Sequence, residues 1–345
     1  MEKTFMTGNE AIAEAAIQAG CRHFFGYPIT PQSEIPEYMS KRLPKMGGVY
    51  LQAESEVAAI NMLFGAAGTG ARVMTSSSSP GISLMQEGIS YIAAARLPCV
   101  IVNIMRGGPG LGGIQPSQSD YFQATKGGGH GDYHLIVLAP HTLQEAVYLT
   151  MNSFDLADKY RNPVMILGDG YMGQMMEPVS FPKLTPRHTP KGWALTGAKN
   201  RPANLVKTLY LDPEALEKHN LVINQTIQKI KKEEVQVETY HTDDAEIIIA
   251  AYGTVARIAK TAIEVLRNKG LKVGLIRPIT VFPFPCKIFE ELADRRFLVV
   301  EMSFGQMLED VQLSLGRKAS VHFYGRTGVV PSYDEIIVEV EKLVK

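Results

Sequence analysis

The chain has 345 residues, of which 45% are hydrophobic and 20% charged, a composition ordinary for an α/β protein with two domains. Lys plus Arg and Asp plus Glu both number 35, so the formal net charge is zero. This balance argues against a nucleic-acid surface or an anionic-membrane surface, because both need a basic excess. No apolar run approaches the ~20 residues of a membrane span, and the first ten residues lack the apolar core of a signal peptide. We therefore expect a cytoplasmic protein that binds neither nucleic acid nor membrane.

The three cysteines, Cys21, Cys99 and Cys286, are far apart in the sequence and form no CxxC pair. By themselves they cannot build a four-cysteine iron–sulfur or zinc site. Each stands beside apolar residues, which predicts buried free thiols. We predict no metal-ligating residues in this chain.

Helical and extended patterns alternate from residue 9 to about residue 170. The segment NEAIAEAAIQAG has an Asn near its start, apolar residues spaced by three and four, and Gly20 at its end, which predicts a capped helix. A strand at HFFGYP, a helix over about 33–43, a strand near VYLQ and a helix over about 54–67 follow. Four apolar runs with little alternation are typical of a parallel sheet covered on both faces: RVMTSS, CVIVNIM, LIVLAP and PVMILGD. We predict a doubly wound parallel-sheet α/β domain over residues 1–178.

The second half of the chain changes character twice. Residues 179–243 begin rich in Pro, Lys and Gly, contain the single tryptophan, Trp193, and end in the charged segment TIQKIKKEEVQVETY, which together predict a linker with a connecting helix. Beyond residue 244 alternation resumes, with helices predicted at 255–267 and 332–345. Strands are predicted at AEIIIAAYG, LKVGLIRPI, RFLVVEM and SVHFYG. We therefore predict a second, smaller α/β domain over residues 244–345.

Three segments directly follow predicted strands, where open α/β sheets place their ligands. They are GYPITP at 26–31, LQAESEVAAI around Glu54 and Glu56, and the long glycine-rich loop that opens with Arg106. Loops of that length inside compact domains are usually functional or disordered. Its GPGLGG run matches GxGxxG, but IQPSQSD follows without a helical pattern. We therefore reject a dinucleotide-binding fingerprint, which needs a helix N-terminus at that place.

Two roles are possible for Thr30. It could cap a helix with Pro31 at the first helical position, a common pairing. Pro36 would then fall inside that helix, where it would lose a hydrogen bond and clash. If Ser33 is the cap instead, Pro36 falls in the first turn and Thr30 is free to meet a ligand. The pattern leaves both readings open.

Glu56 and Arg106 also have structural alternatives. Acidic residues in a first helical turn are favoured by the helix dipole, which alone would account for Glu54 and Glu56. Arg106 could pair with a surface acid. The glycines around Arg106 would instead let a ligand approach closely, and an arginine fork suits a carboxylate.

Three segments together resemble a known family. They are GNEAIAEAAIQAGCRHFFGYPITPQSEI, the run from QAESEVAAI to NIMRGGPG, and VEMSFGQM. In this order they resemble the alpha subunit of 2-oxoacid:ferredoxin oxidoreductases, and the resemblance covers nearly the whole chain. It implies a thiamine diphosphate pyrimidine-binding domain followed by a domain similar to the transketolase C-terminal domain.

The resemblance also implies a division of labour among subunits. A separate beta subunit would bind the diphosphate and its Mg²⁺, and gamma and ferredoxin-like delta subunits would complete the complex with its iron–sulfur clusters. Coenzyme A would be the co-substrate and ferredoxin the electron acceptor. Gly168-Asp169-Gly170 resembles the start of a metal–diphosphate motif, but the expected asparagine pair is missing, since Asn200 lies in the predicted linker. We read residues 168–170 as a turn.

Site roles follow from the resemblance by position. Glu56 matches the glutamate that hydrogen-bonds the aminopyrimidine ring, and Glu54 is the weaker candidate. Thr30 matches the threonine that contacts the 2-oxoacid carboxylate or the reaction intermediate, and Arg106 matches an arginine that pairs with the substrate carboxylate. The resemblance places the stretch 76–81 against the pyrimidine. The further cofactor-binding residues that it implies are Tyr27, Pro28, Ser79, Pro80 and Gly81.

The glycine-rich loop after Arg106 bears on the identity of the substrate. After Arg106 the loop reads GGPGLGGIQPSQSDY, which resembles the branched-chain (3-methyl-2-oxobutanoate) type more closely than the 2-oxoglutarate type. No second basic residue for another substrate carboxylate is evident in the loop before Lys126. We therefore expect coenzyme A-dependent oxidative decarboxylation of a branched-chain 2-oxoacid to acyl-CoA and CO₂. The alternatives are 2-oxoglutarate as substrate and a non-catalytic scaffold subunit.

Overall fold

The computed structural model describes residues 3–183, 191–316 and 319–344. In these ranges the strands are β1 (Thr4–Thr7), β2 (His23–Gly26), β3 (Val49–Gln52), β4 (Val73–Ser77), β5 (Val100–Met105), β6 (Ile136–Leu138), β7 (Val164–Asp169), β8 (Met176–Val179), β9 (Val237–Tyr240), β10 (Ile247–Ala250), β11 (Val273–Pro278), β12 (Thr280–Phe282), β13 (Arg296–Glu301) and β14 (Ser320–Gly325).

The helices lie between these strands. They are α1 (Gly8–Gln18), α2 (Glu34–Arg42), α3 (Glu56–Gly68), α4 (Ser79–Ala94), α5 (Tyr121–Thr125), α6 (Leu143–Tyr160), α7 (Gly170–Gln174), α8 (Pro213–Glu233), α9 (Gly253–Asn268), α10 (Cys286–Glu291), α11 (Gln306–Leu315) and α12 (Tyr333–Val344), with a short 3₁₀ helix at Pro44–Met46.

The first sheet has seven strands, in the order β12-β6-β7-β5-β4-β2-β3. Its strands are parallel except β12, which pairs antiparallel with β6 at one edge. Strands β4, β5 and β7 are buried at every position, because helices cover both faces of the sheet. The predicted doubly wound domain is confirmed, with an antiparallel edge strand that the pattern did not predict.

The start of α1 differs from the prediction. Thr7, not Asn9, caps this helix: its side chain accepts from the Glu10 N–H at 3.2 Å, and the Glu10 carboxylate accepts from the Thr7 N–H at 3.1 Å. Asn9 is buried inside the helix and donates to the Pro31 carbonyl at 2.8 Å. The Asn9 side chain, which the sequence suggested as a helix cap, therefore ties α1 to the GYPITP turn.

The second sheet has five strands in the order β14-β13-β10-β11-β9, parallel except for β9. Strand β9 lies inside the segment predicted as a linker, whereas β12, from beyond residue 244, joins the first sheet. Strands β9 and β12 thus belong to sheets other than those that the predicted limits of the second unit assign them to. The division at 178 and 243 stays a prediction, and α8 occupies the predicted connecting helix.

An ionic cluster joins the two sheets. Arg277 on β11 is only 2% exposed; its Nη2 lies 2.8 Å from Oε1 of Glu145 on α6, and its Nε lies 2.6 Å from Oε2 of Glu238 on β9. Buried cations need such partners, since an unpaired charge in the interior is costly. The cluster therefore holds α6 against the second sheet.

The cysteine prediction is confirmed at two positions and wrong at the third. Cys21 and Cys99 are buried, and burial raises the pKa of the Cys21 thiol to about 12. Cys286 is exposed, because it begins α10 at the rim of a surface groove rather than inside the core. No helix among the described residues is both long and apolar enough to cross a membrane.

Candidate active site

The three predicted segments meet at one edge of the first sheet. Strands β2, β4, β5 and β7 are parallel, so the GYPITP turn, Ser77, Arg106 and Asp169 all follow carboxyl ends on the same side. Strand β3 lies at the end of the same row and leads to Glu56 at the start of α3. The topology therefore brings the sequence-predicted residues to a common rim.

The GYPITP turn presents Thr30 to the surface. Helix α2 begins at Glu34 after Ser33, so Thr30 is not its N-cap and Pro36 falls in the first helical turn. Ser33 makes no capping hydrogen bond with its side chain. The Thr30 hydroxyl is exposed and makes no hydrogen bond within the described residues, whereas its carbonyl oxygen accepts from Arg106 Nη1 at 2.9 Å. The side chain is left available for a ligand.

Arg106 is buried, with 7% of its surface exposed, and it bridges two loops. Its Nη1 donates to the Thr30 carbonyl at 2.9 Å and its Nη2 to the Leu111 carbonyl at 3.2 Å. Its Nε is buried without a partner among the described residues. The guanidinium thus ties the GYPITP turn to the glycine-rich loop and leaves its Nε without an acceptor among the described residues.

Asn103 and Asp120, which form a polar cluster with Ser79 behind Arg106, were not predicted from the sequence. The Ser79 hydroxyl accepts from the Arg106 N–H at 3.0 Å and donates to Asp120 Oδ2 at 2.6 Å, which also accepts from Asn103 Nδ2 at 2.9 Å. Burial raises the pKa of Asp120, although the hydrogen bonds from Ser79 and Asn103 oppose this. The Ser79 side chain is committed to positioning Arg106, so a cofactor contact there would have to use its backbone.

Glu56 is the buried acid of the AESE segment, whereas Glu54 is exposed. Ser55 caps α3 by accepting from the Ala58 N–H at 3.1 Å, which turns the Glu56 side chain inward. A Cβ added at Gly81 would lie 2.6 Å from Glu56 Oε1 and 2.1 Å from Ser77 Oγ. The carboxylate, the hydroxyl and the bare backbone of Gly81 therefore surround one small space.

Glu56 has no ion-pair or hydrogen-bond partner for its carboxylate among the described residues, and other polar atoms at this rim share that property. Buried side-chain atoms without a partner there include Thr75 Oγ1, Ser77 Oγ, Ser78 Oγ, Gln32 Nε2, Asn103 Oδ1 and Arg106 Nε. Each unpaired buried polar group costs about 1–3 kcal/mol. Such a concentration at one sheet edge fits a polar ligand that supplies the missing partners.

A cavity of about 640 Å³ opens beside Thr30, between the turn, the glycine-rich loop and α7. Ile114, Pro116, Tyr171 and Met175 contribute apolar walls. Glu34 is the one charged residue among the described residues that line it, and its carboxylate accepts from Asn9 Nδ2 at 2.7 Å. With no basic residue in its lining, the cavity suits an aliphatic group better than an anion.

Residues 168–170 serve as a structural junction. Gly168 and Asp169 end β7, and the Asp169 carboxylate accepts from the N–H groups of Tyr171 at 2.9 Å and Met172 at 3.1 Å. These bonds cap α7. The side chain that would begin a metal motif is thereby occupied.

Two family models match the chain. Residues 14–252 match pyruvate flavodoxin/ferredoxin oxidoreductase, thiamine diP-binding, and residues 245–336 match pyruvate:ferredoxin oxidoreductase core domain II. The chain is 52% identical to the ketoisovalerate oxidoreductase subunit VorB of Methanothermobacter thermautotrophicus, over 92% of this chain and 91% of that protein. It is 39% identical to the 2-oxoglutarate synthase subunit KorA of Methanocaldococcus jannaschii, over 90% and 92% respectively.

Solved structures agree in fold. A 2-oxoglutarate:ferredoxin oxidoreductase from Magnetococcus marinus, with 2-oxoglutarate, coenzyme A and succinyl-CoA bound, superposes with a TM-score of 0.89 at 27% identity, over all of this chain and 66% of that one. A split-gene transketolase superposes with a TM-score of 0.62 at 12% identity, which shows a common fold alone. On the family match over most of its length, and on these relatives, the chain belongs to the alpha subunits of the 2-oxoacid:ferredoxin oxidoreductases.

Proposed function

We propose that this chain provides the pyrimidine half of a thiamine diphosphate site in an enzyme that oxidises 3-methyl-2-oxobutanoate to its acyl-CoA and CO₂. The observation that carries the proposal is the buried Glu56 carboxylate, which faces Gly81 at the carboxyl edge of the sheet without a partner among the described residues. Residues 1–178 would form the pyrimidine-binding unit and residues 244–345 the transketolase C-terminal-like unit. Residues 179–243 would connect them.

Glu56 would hold the ring nitrogen of the aminopyrimidine by a hydrogen bond. When bound, thiamine diphosphate supplies the carbanion and electron-sink chemistry that amino-acid side chains lack. The absence of a side chain at Gly81 lets a flat ring approach the carboxylate, and Ser77 and Ser78 offer unpaired hydroxyls at the same place. Tyr27, Pro28 and Pro80 would form the outer contacts of the ring.

Thr30 and Arg106 would bind the 2-oxoacid carboxylate. The Thr30 hydroxyl is exposed and unused among the described residues, and the Arg106 Nε lacks an acceptor there. A carboxylate that accepts from both would satisfy a buried guanidinium donor and fix the orientation of the substrate.

The cavity beside Thr30 supports a branched aliphatic substrate. Its apolar walls and the Glu34 carboxylate favour an isopropyl group over the second carboxylate of 2-oxoglutarate, which would meet like charge there. The 52% identity to a ketoisovalerate oxidoreductase subunit points the same way. 2-Oxoglutarate is the second candidate, favoured by the KorA relative and by the structural neighbour.

The remaining components would come from partner chains. The Asp169 carboxylate is used within α7, which supports placing the diphosphate and Mg²⁺ on a beta subunit. Gamma and delta subunits would carry the iron–sulfur clusters to ferredoxin. The chain would then be active only within the assembled cytoplasmic complex.

The test is a substrate panel on the assembled complex, with viologen reduction as the readout. We expect 3-methyl-2-oxobutanoate to give the highest kcat/KM, and Glu56→Gln to lower turnover by a factor of about 10²–10⁴. Glu54→Gln is the matched control: the same charge is removed two residues away at an exposed position. Full activity of Glu56→Gln refutes the pyrimidine role. If no 2-oxoacid reduces the dye, the chain is a scaffold; if 2-oxoglutarate is preferred, the substrate assignment is wrong.

Thr30→Val tests the substrate contact separately. The substitution removes one hydroxyl of an exposed residue and keeps its shape, so the fold should persist while KM for the 2-oxoacid rises about tenfold. A variant with unchanged KM and turnover would show that the GYPITP turn has only a structural role.

A further inference from the structure

A cluster of basic side chains lies at the edge of the first sheet opposite the candidate active site. Helix α4 ends before β5 and helix α6 ends before β7, and the first residues of these adjacent parallel strands, Val100 and Val164, are paired. Both helix C-termini therefore lie together at the amino edge. Arg96 follows the first of these helices and Arg161 the second.

Both arginines adopt the left-handed backbone conformation that usually selects glycine after a helix, with φ of 54° at Arg96 and 50° at Arg161. The Arg161 Nε donates to the Arg96 carbonyl at 3.1 Å, which brings the two side chains together. Burial lowers the pKa of both guanidinium groups, and at Arg161 the charge of Arg96 lowers it further. Two cations are thus held side by side, partly out of water.

Residues of the segment predicted as a linker cover the two arginines on their outer side. The Trp193 ring lies 4.4 Å from the Arg161 guanidinium carbon, and the Lys207 Nζ lies 4.5 Å from the centroid of the Tyr210 ring. Tyr210 in turn stacks on His219 of α8 at 4.8 Å. Together these residues enclose a cavity of about 210 Å³.

No carboxylate among the described residues pairs with the basic groups of this cavity. No Asp or Glu lines it, and no carboxylate of the described residues lies within 4.0 Å of the charged groups of Arg96, Arg161 or Lys207. The Arg96 Nε is buried without a hydrogen-bond partner in the described part of the chain. Residues 184–190, which precede Trp193 and are not described, contain no acid in their sequence.

Helix capping alone does not account for this arrangement. The Arg161 Nε and the His219 Nε2, 2.6 Å from the Ala94 carbonyl, do satisfy carbonyl groups at the ends of the helices. The remaining donors of Arg96 and the ammonium of Lys207 have no such use. The partial negative charges of the two helix C-termini offset part of this positive charge. Since no carboxylate of the described residues neutralises the remainder, the cavity can accept an anion.

We propose that this cavity is a binding site for a phosphate group, either free phosphate or the phosphoryl group of a monoester. Two guanidinium groups and one ammonium, from three separate segments, can surround a tetrahedral dianion, and guanidinium forks match its oxygens in pairs. The aromatic walls formed by Trp193 and Tyr210 provide room for a flat group attached to the phosphate. The site is independent of the proposed 2-oxoacid chemistry, since it lies at the other edge of the sheet.

Trp193 provides the measurement, because it is the only tryptophan in the chain. The purified full-length chain is titrated with inorganic phosphate at constant ionic strength, with chloride as the reference salt, and indole fluorescence is followed. Calorimetry repeats the titration on the assembled complex. We expect saturable binding by both methods. The absence of saturable binding up to about 10 mM phosphate overturns the proposal, and so does binding to the free chain that is lost in the complex, since a partner's carboxylate would then occupy the cavity.

The variants separate a built site from general attraction of anions. Arg96→Gln and Arg161→Gln should each weaken phosphate binding about tenfold by calorimetry, since each removes a charged hydrogen-bond donor. Lys207→Gln should also weaken it, and it changes an exposed side chain without risk to the fold. Lys199→Gln is the control: a nearby exposed lysine outside the cavity lining. Equal affinities in the cavity variants and the control overturn the proposal.

Adenosine monophosphate and adenosine distinguish the two sources of phosphate. Tighter binding of the monophosphate than of inorganic phosphate, with no binding of adenosine, assigns the site to a phosphomonoester that uses the aromatic walls. Equal or weaker binding of the monophosphate assigns it to free phosphate. Adenosine that binds as tightly as its monophosphate refutes a phosphate site.

Discussion

Gly81→Ala is the sharpest test of the space around Glu56. The position lies in the first turn of α4, and its φ is not left-handed, so alanine is compatible with the backbone. The new methyl group would lie 2.1 Å from Ser77 Oγ and 2.6 Å from Glu56 Oε1. Real Cβ atoms essentially never show contacts under 3.0 Å, so at least one of these side chains must move.

The distances set the size of the effect. Ordinary contact begins near 3.4 Å, so the Glu56 oxygen must retreat by about 0.8 Å. A misplacement of about 1 Å at a reacting group can lower turnover by about 10². Overpacking costs about 1–3 kcal/mol, whereas alanine in place of glycine in a helix returns about 0.5–1 kcal/mol, so the net loss of stability should stay below about 2.5 kcal/mol. The variant should therefore fold and be nearly inactive.

Two measurements on one preparation decide the matter: denaturant unfolding of the chain and viologen reduction by the complex. Gly65→Ala on α3 is the matched control, because a Cβ there would meet nothing within 4 Å. That control should gain about 0.5–1 kcal/mol of unfolding free energy and keep full activity. A folded Gly81→Ala variant with normal turnover would refute the reasoning, since the space beside the carboxylate would then have no role.

Two further substitutions test the supports of the site. Burial opposes ionisation of Glu145, but hydrogen bonds from His141 and Arg277 outweigh it and lower its pKa from 4.5 to about 2. The lowered folded-state pKa contributes about 3 kcal/mol above pH 4.5 and loses it as the pH falls toward 2. Glu145→Gln should therefore be that much less stable than the wild type at pH 7 in denaturant unfolding, and a gap that does not shrink at pH 3 contradicts the assignment. Ser79→Ala leaves the buried Arg106 N–H without its acceptor, so it should cost about 1–3 kcal/mol and raise KM for the 2-oxoacid; unchanged KM would show that Arg106 is positioned without it.

The main elements could be predicted because each had a local cause. Buried parallel strands such as β5 carry continuous apolar runs, and Pro36 placed the start of α2 after Ser33. The predictions that were wrong concern side chains whose surroundings come from residues distant in the sequence. Asn9 has the chemistry of a cap but binds the distant Pro31 carbonyl, and Cys286 has apolar neighbours in sequence but lies at a surface rim.

The candidate site shows the same division. Glu56, Thr30 and Arg106 were identified because strand ends and family motifs mark their positions. The burial that distinguishes Glu56 from Glu54 depends on how Ser55 starts α3, which the sequence alone does not resolve. No sequence pattern marks Asp120, because its role depends on hydrogen bonds with Ser79 and Asn103. These residues are distant in the sequence and become adjacent only after folding.

The second domain reaches the candidate site through the segment that carries Asp120. Within it, Gln118 donates to the Tyr252 carbonyl at 2.9 Å and accepts from the Met302 N–H at 2.9 Å, and Gln306 donates to the Ser119 carbonyl at 2.6 Å. Since Asp120 holds Ser79, and Ser79 holds the Arg106 backbone, a shift of the second domain would be passed through two hydrogen-bonded side chains to Arg106. The second domain, which lacks the predicted catalytic residues, is thus joined to the first by the amide side chains of Gln118 and Gln306. The position of the Arg106 backbone therefore depends on the packing of both sheets.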